Sequence, residues 1–441
     1  MGQTERKGAN QGETDAGGLF NDLSDHPLRH QLLGEVHARP FPLLTTPRRI
    51  LHYAFLTNED EAGLDRDRLG RLMRAHGKEP PQQAKFITLD LGKASLRWEQ
   101  HSEFTSYTFE TGLAAASPFQ GKNFADVLPD FSLTAPGKLI AAAQIALVRK
   151  HPDSGLPERL FDQASLSLSE VDDGAARIVT DFLADATGAS RILIEDEDLG
   201  PSRAGALVQR LLELETYRVL ALLALPEAQR LAPIVRRIEM DLTDITAEMR
   251  DASGYSDNRD LLNRLTVLAA ELETQSAATS YRFAASRAYA EIVEQRIKDV
   301  REIRVPGFRT WEAFLVRRMS PAMRTCRALE LRQRDLSEKL ARAANLLRTR
   351  VDIELEQQNR SLLQSMNRRA KLQLRLQQTV EGLSVAAISY YIVGLIGYLS
   401  KGGKAAGLDL PSGLIEALSV PIVVLAVWWI VRRVRRIHNG G

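Results

Sequence analysis

Between Ser320 and Leu399 the chain carries a single proline, at position 321, and no glycine before Gly382. Nothing in that interval stops a helix once it has started. Ser320-Pro321 reads as the start itself: a hydroxyl N-cap followed by proline at the first helical position. At 1.5 Å per residue, a helix of roughly 80 residues spans about 120 Å, far more than a globular core covers. Its polar portion presents Leu329, Leu336, Leu340, Leu347, Val351, Leu355, Leu362 and Met366, spaced mostly by four and seven, among Arg, Glu and Gln. The spacing drifts from a heptad toward an 11-residue repeat. One apolar stripe on a charged rod calls for partner helices.

The rod then changes solvent. Residues 380–399 (VEGLSVAAISYYIVGLIGYL) are long and apolar enough to span a bilayer, with their one charge, Glu381, at the near end. Residues 401–412 form a loop, and residues 413–431 (GLIEALSVPIVVLAVWWIV) make a second apolar run. Arg368, Arg369, Lys371 and Arg375 precede the first run, and Arg432, Arg433, Arg435 and Arg436 follow the second. The loop holds only Lys401 and Lys404 against Asp409. The positive-inside rule puts both termini in the cytoplasm and the loop outside. Trp428 and Trp429 suit the membrane–water interface. A buried hairpin in a soluble protein is the competing reading, and these flanks fit it less well.

A length of 441 residues predicts two or three domains. The net charge of +2 gives no argument for nucleic acid, and no zinc-finger, RNA-binding or basic-region pattern is present. Cys326 is the one cysteine, so no intrachain disulfide forms, which suits a reducing compartment. Residues 1–18 are polar, resemble no signal peptide and are expected to be disordered.

Residues 19–198 read as a mixed α/β cytosolic domain. Strand composition marks residues 48–56, 85–91, 94–100 and 104–109, with Gly92-Lys93 as a tight hairpin. Residues 59–76 read as an amphipathic helix. Residues 138–148 fit a buried strand or a helix alike, and residues 165–171, 176–182 and 191–195 read as three more strands. From Leu199 the chain turns helical: residues 200–226, 232–250 and 258–304, then a short helix near residues 311–318 before Ser320. The fold class is therefore an α+β cytosolic domain, a long α-helical stalk over residues 199–379, a two-helix transmembrane hairpin over residues 380–431, and a basic cytosolic tail over residues 432–441.

Two places carry candidate chemistry in the cytosolic part. In EVHARPFP, residues 35–42, prolines stiffen the backbone around His37 and Arg39, which then serve as a structural clamp or an anion-binding pair. In WEQHSEF, residues 98–104, Glu99, His101 and Glu103 share one face if the strand runs straight, a weak candidate for a metal or proton site; a turn at His101-Ser102 breaks that register. No glycine-rich dinucleotide turn, P-loop, nucleophile elbow or zinc-ligand pair is present. No nucleophile–base–orienter set emerges, so the expectation is a protein that is not an enzyme and holds no cofactor.

Four stretches taken together carry a resemblance: HARPF at residues 37–41, WEQHSEFTSYTF at 98–109, LGPSRAGALVQRLLELETYRVLALLALP at 199–226, and residues 347–402. They resemble a bacterial family of uncharacterised membrane-anchored proteins, a domain of unknown function. That resemblance implies a bacterial inner-membrane protein with no assigned activity. The layout is also similar to that of the CorA-type divalent-cation channels: cytosolic α/β domain, long helix, first span, short external loop, second span and basic tail. Those are pentamers whose long helix becomes the pore helix. Their Gly-Met-Asn signature at the external mouth is absent, and Gly397-Tyr398-Leu399 stands in its place.

Two spans enclose no pore alone, so a permeation path requires a homo-oligomer. Glu381, Ser384, Ile388, Tyr391, Leu395 and Tyr398 fall on one helix face and are the pore-lining candidates, with Glu381 as an acidic collar. Gly382, Ala386, Ser389 and Gly397 form a small face that admits close helix approach. The leading expectation is an oligomeric cation channel, transporter or sensor gated by its cytosolic domain, with a divalent cation as the ion carried or sensed. The alternative is a non-conducting scaffold, anchored by the hairpin, that binds a cytosolic protein partner.

Overall fold

Alternating apolar residues assemble the first half of the chain into one mixed sheet. The computed structural model describes residues 25–29, 33, 41–80, 85–113, 118–119, 133–150, 155–405 and 412–438. The expected disordered tail lies outside them. In chain order the elements are β1 (Arg48–Leu56), α1 (Glu59–Ala75), β2 (Phe86–Asp90), β3 (Ala94–Gln100), β4 (Phe104–Gly112), β5 (Lys138–Arg149), a short α2 (Leu156–Leu160), β6 (Ser167–Val171), β7 (Ala176–Ala184) and β8 (Ser190–Asp196). There follow α3 (Pro201–Leu222), α4 (Ala224–Asp251), α5 (Tyr255–Val300), β9 (Ile303–Arg304), α6 (Trp311–Ala405) and α7 (Ser412–His438). The sheet order is β2-β3-β4-β1-β5-β8-β7-β6-β9. β5 and β8 run parallel and the other neighbours antiparallel. Residues 138–148, open between strand and helix, are strand, because β5 is buried on both faces at the sheet's centre.

The chain forms two compact units, residues 1–241 with 269–339, and residues 242–268 with 340–441. The first unit does not end at residue 198, because α3 covers one sheet face. Ile50, Ala143, Ile145, Ile178, Ile192 and Ile194 pack there against Leu207, Leu211 and Leu214. The opposite face has two smaller cores. Helix α1 covers Ile87, Leu89, Leu96 and Trp98, and Phe161 covers Leu168, Val179 and Leu193. Asn58 and Glu61 cap α1 reciprocally, and Asp65 pins it by accepting from Tyr107 Oη (2.6 Å) and Trp98 Nε1 (2.8 Å). At the hairpin between β2 and β3, Gly92 supplies a φ of 78°.

Several helix boundaries depart from the sequence expectation. Helix α4 begins at Ala224, so Pro226 lies in its first turn, where the missing N–H has no intrahelical acceptor. Helix α5 ends at Val300, and Ile303–Arg304 leaves to pair with β6 as β9. Most consequential, Ser320-Pro321 starts nothing. Helix α6 begins at Trp311 and passes through Pro321. Its cap is built from elsewhere: Glu302 accepts from the N–H groups of Trp311 and Glu312 (2.8 Å each), and Thr310 Oγ1 from that of Ala313 (3.1 Å). A bulge in β7 holds Phe182 at φ 57° and stacks it on Phe314, ring centroids 4.2 Å apart, with Trp311 edge-on. The first turn of α6 is thereby locked into the sheet core.

In the second unit, Leu242, Ile245, Leu261, Leu265, Leu340 and Leu347 are buried where α4, α5 and α6 meet. Arg350 Nη1 donates to the terminal carbonyl of Met249 (2.6 Å), and Asn258 Nδ2 to Glu354 (2.9 Å). From residue 355 to 380 every residue of α6 is exposed. Leu355, Leu362 and Met366 continue the apolar stripe there. Two helical segments near the C-terminus, one at the end of α6 and one in α7, are long and apolar enough to cross a membrane. They meet through small residues: Ser389, Gly397 and Ser400 are buried, and a Cβ on Gly397 would come within 2.8 Å of Glu416 Oε1. Residues 401–405 of the expected loop continue α6, Ser412 starts α7, and residues 406–411 lie outside the described residues.

Candidate functional site

Where β1, β3 and β4 face α3, the sheet is polar. The register aligns Arg97 with Thr108 and His52, and Glu99 with Ser106 and Ala54, so alternation delivers all these side chains to one face. His52 is buried and bridges two hydroxyls, Nδ1 to Thr108 Oγ1 (2.8 Å) and Nε2 to Thr216 Oγ1 (3.0 Å). Burial pushes its pKa down to about 3, against a smaller upward pull from Glu99, so the ring is neutral. Arg97 Nη1 donates to Gln209 Oε1 (2.9 Å), and Arg97 Nε lies 3.5 Å from buried Glu99. Gln209 Nε2 donates to Glu213 (3.0 Å), which also accepts from Arg296 Nε of α5. A continuous polar chain thus leads from the sheet, through α3, to the second turn of α5 counted from its C-terminus.

The Glu99, His101 and Glu103 trio does not converge. β3 ends at Gln100, and the turn through residues 101–103 breaks the alternation. His101 lies flat on Phe104, centroids 4.0 Å apart, with Nε2 3.5 Å from Glu99. Glu103 instead accepts from Arg282 Nη2 (2.6 Å) and Tyr289 Oη (2.7 Å) of α5. Burial and the Glu103 carboxylate push the Tyr289 phenol up. Among the described residues no group of three His, Cys, Asp or Glu is placed to hold a metal. His37 and Arg39 lie outside the described residues.

Arg97 borders two cavities. One of about 30 Å³, lined by His52, Glu99, His101 and Thr216, has room for one water. The other, of about 180 Å³, is bordered by Phe41, Pro42, Phe86, Thr108 and Glu110. Its cover is the end of the HARPF motif. Leu44 N donates to Pro201 O (3.0 Å), and a Cβ on Gly205 would fall 1.6 Å from Pro42 O. Only glycine admits that crossing. The segment Phe41–Leu44, which follows the undescribed residues of HARPF, therefore meets Pro201 and Gly205 of LGPSRAG beside this cavity. The family described as "Protein of unknown function (DUF3422)" matches residues 24–438.

The chain belongs to that family. No curated protein and no solved structure gave a significant match. In this DUF3422 chain the helix face bearing Glu381, Ser384, Ile388, Tyr391, Leu395 and Tyr398 points away from α7. Tyr391, Leu395 and Tyr398 are 72%, 63% and 80% exposed, whereas Ser389 on the small face is 3% exposed. Glu381 makes no ion pair among the described residues.

Sequence reasoning overlooked His52, Arg97, Gln209 and Glu213. Their signal was present: Gln209, Glu213 and Thr216 sit at i, i+4 and i+7 on the otherwise apolar inner face of α3. His52 alternates with Ile50 and Ala54 in β1. Buried polar groups at core-facing periodicity mark a polar layer between sheet and helix.

Proposed function

We propose that this DUF3422 chain is an integral inner-membrane protein that assembles into a ring and passes or senses a cation under control of its sheet unit. Both termini are then cytoplasmic and residues 380–431 form the membrane hairpin. One observation carries the reading. Helix α6 runs without a break from Trp311, buried in the sheet core, to Ala405, beyond the first apolar segment, and over residues 355–380 it is exposed on every side while keeping an apolar stripe. A solitary rod of that kind is stabilised by sister rods. The same assembly covers the exposed Glu381–Tyr398 face, and Glu381 then lines the cytosolic mouth as an acidic ring. The layout is CorA-like without the family's external signature. The chemistry proposed is permeation or sensing, not catalysis, and the cation is a passing ligand.

The deciding measurement is the mass of the detergent-solubilised particle, corrected for bound detergent. A closed ring of about five subunits is expected, and proteoliposome flux is then expected to fall at least tenfold in Glu381→Ala. A monomer or dimer leaves no way to enclose a path with two spans per chain. That outcome favours the non-conducting scaffold, whose exposed rod binds a cytosolic protein partner.

A further inference from the structure

The cavity of about 180 Å³ beside Arg97 combines one cation with apolar walls. Its floor crosses β3 and β4 through Arg97 and Thr108, with Thr88 of β2 at the rim, and its cover is Phe41 and Pro42. Arg97 is the cation of the lining. Nη1 donates to Gln209, while Nε is buried and makes no hydrogen bond. Glu99, 3.5 Å away, balances the charge without closing the guanidinium fork. The acidic side of the cavity is already engaged: Glu110 accepts from Arg48 Nε (3.0 Å) and Ser95 Oγ (3.4 Å). A guanidinium carries five donors, of which Gln209 takes one; lining a cavity whose carboxylate is engaged, it selects an anion, and its planar fork matches a carboxylate.

Size and lining narrow the class. At roughly 30 Å³ per water the cavity equals about six waters, well below the roughly 300 Å³ at which pockets begin to hold drug-sized molecules, so nucleotides and dinucleotides are too large. Leu44, Ile50, Phe86 and Val208 give the cavity apolar walls, which the body of an organic acid contacts and a bare inorganic anion does not. We propose that this cavity binds a small monocarboxylic acid with an apolar body, its carboxylate on Arg97 and its body beneath Phe41 and Pro42. The site lies wholly within the sheet unit, so it goes beyond the membrane reading and does not depend on it. Because Arg97 also holds Gln209, and Gln209 holds Glu213, occupancy acts on the polar chain that ends at Arg296 of α5.

The test is isothermal titration of the full chain in detergent with benzoate and pentanoate, with benzamide and inorganic phosphate as controls. Saturable binding of a carboxylate with a Kd of roughly 1 mM or tighter is expected, with both controls at least tenfold weaker. Arg97→Met is expected to weaken it at least tenfold. Because that change also strips Glu99 of a partner, Thr88→Trp provides an independent check: Thr88 is exposed at the rim, and the indole fills the mouth without removing a buried charge. Absence of saturable binding by both carboxylates overturns the proposal. So does equal binding of benzamide, or binding that survives Thr88→Trp in protein with an unchanged melting curve. The readout is per chain, so a monomeric particle would sink the ring while leaving this site standing.

Discussion

His52 is held neutral between the hydroxyls of Thr108 and Thr216, and that neutrality has a pH signature. Unfolded, its imidazole takes a proton near pH 6.5; folded, burial delays this to about pH 3. Between those values the unfolded chain binds more protons, so stability is lost as pH falls, by up to about 1.4 kcal/mol per pH unit. Chemical denaturation of His52→Gln, which does not titrate, is expected to show a shallower loss from about pH 6 to pH 4 than the parent. Equal slopes would count against a neutral buried ring. Asp65 poses the opposite problem, a carboxylate buried under α1. Burial pushes its pKa up, and its hydrogen bonds from Tyr107 and Trp98 pull it back. Asp65→Ala strands a buried phenol and a buried indole N–H. It is expected to lower unfolding free energy by about 2–4 kcal/mol, read from urea midpoints at constant slope.

At the scale of elements, the clearest device is the crossing of Pro42 over Gly205. With Pro42 O 1.6 Å from where a Cβ would stand, Gly205→Ala forces backbone apart and breaks the hydrogen bond from Leu44 to Pro201. Amide exchange at Leu44 is expected to accelerate at least tenfold, with β5 and β8 amides unchanged; protection retained at Leu44 would show that the crossing adapts. Elements whose signals are local were legible beforehand. Residues 48–56 form β1 as their composition indicates, and α1 (Glu59–Ala75) falls within the helix expected over residues 59–76. The start of α6 was not, because Ser320-Pro321 imitates a cap while the real one is Glu302, brought in through β9 and also hydrogen-bonded to Ser169. Nor was the fate of Glu103 legible, whose partner Arg282 lies 179 residues away, beyond α3 and α4 in the second half of α5. The polar layer escaped for the same reason: each half, on β3 and on α3, looks like an isolated irregularity until the two faces meet.

For the whole molecule, the membrane reading makes a prediction separate from subunit count. A chain ending at residue 379 lacks both apolar segments but keeps the sheet unit and the α4–α5–α6 contacts. In detergent phase partitioning the full chain is expected in the detergent phase and the shortened chain in the aqueous phase. An aqueous full chain would turn the apolar pair back into an ordinary soluble hairpin. The bare stretch of α6 also constrains how such a chain can change length over evolutionary time. Each residue added or removed between 355 and 380 turns everything downstream by about 100°, which in the proposed ring carries Glu381 and Tyr398 away from their counterparts on neighbouring chains. Steps of seven or eleven residues restore the phase to within about 20°, in opposite senses. Insertions and deletions in this stretch are therefore expected in those units, a rhythm that aligned relatives can reveal without any experiment on this chain.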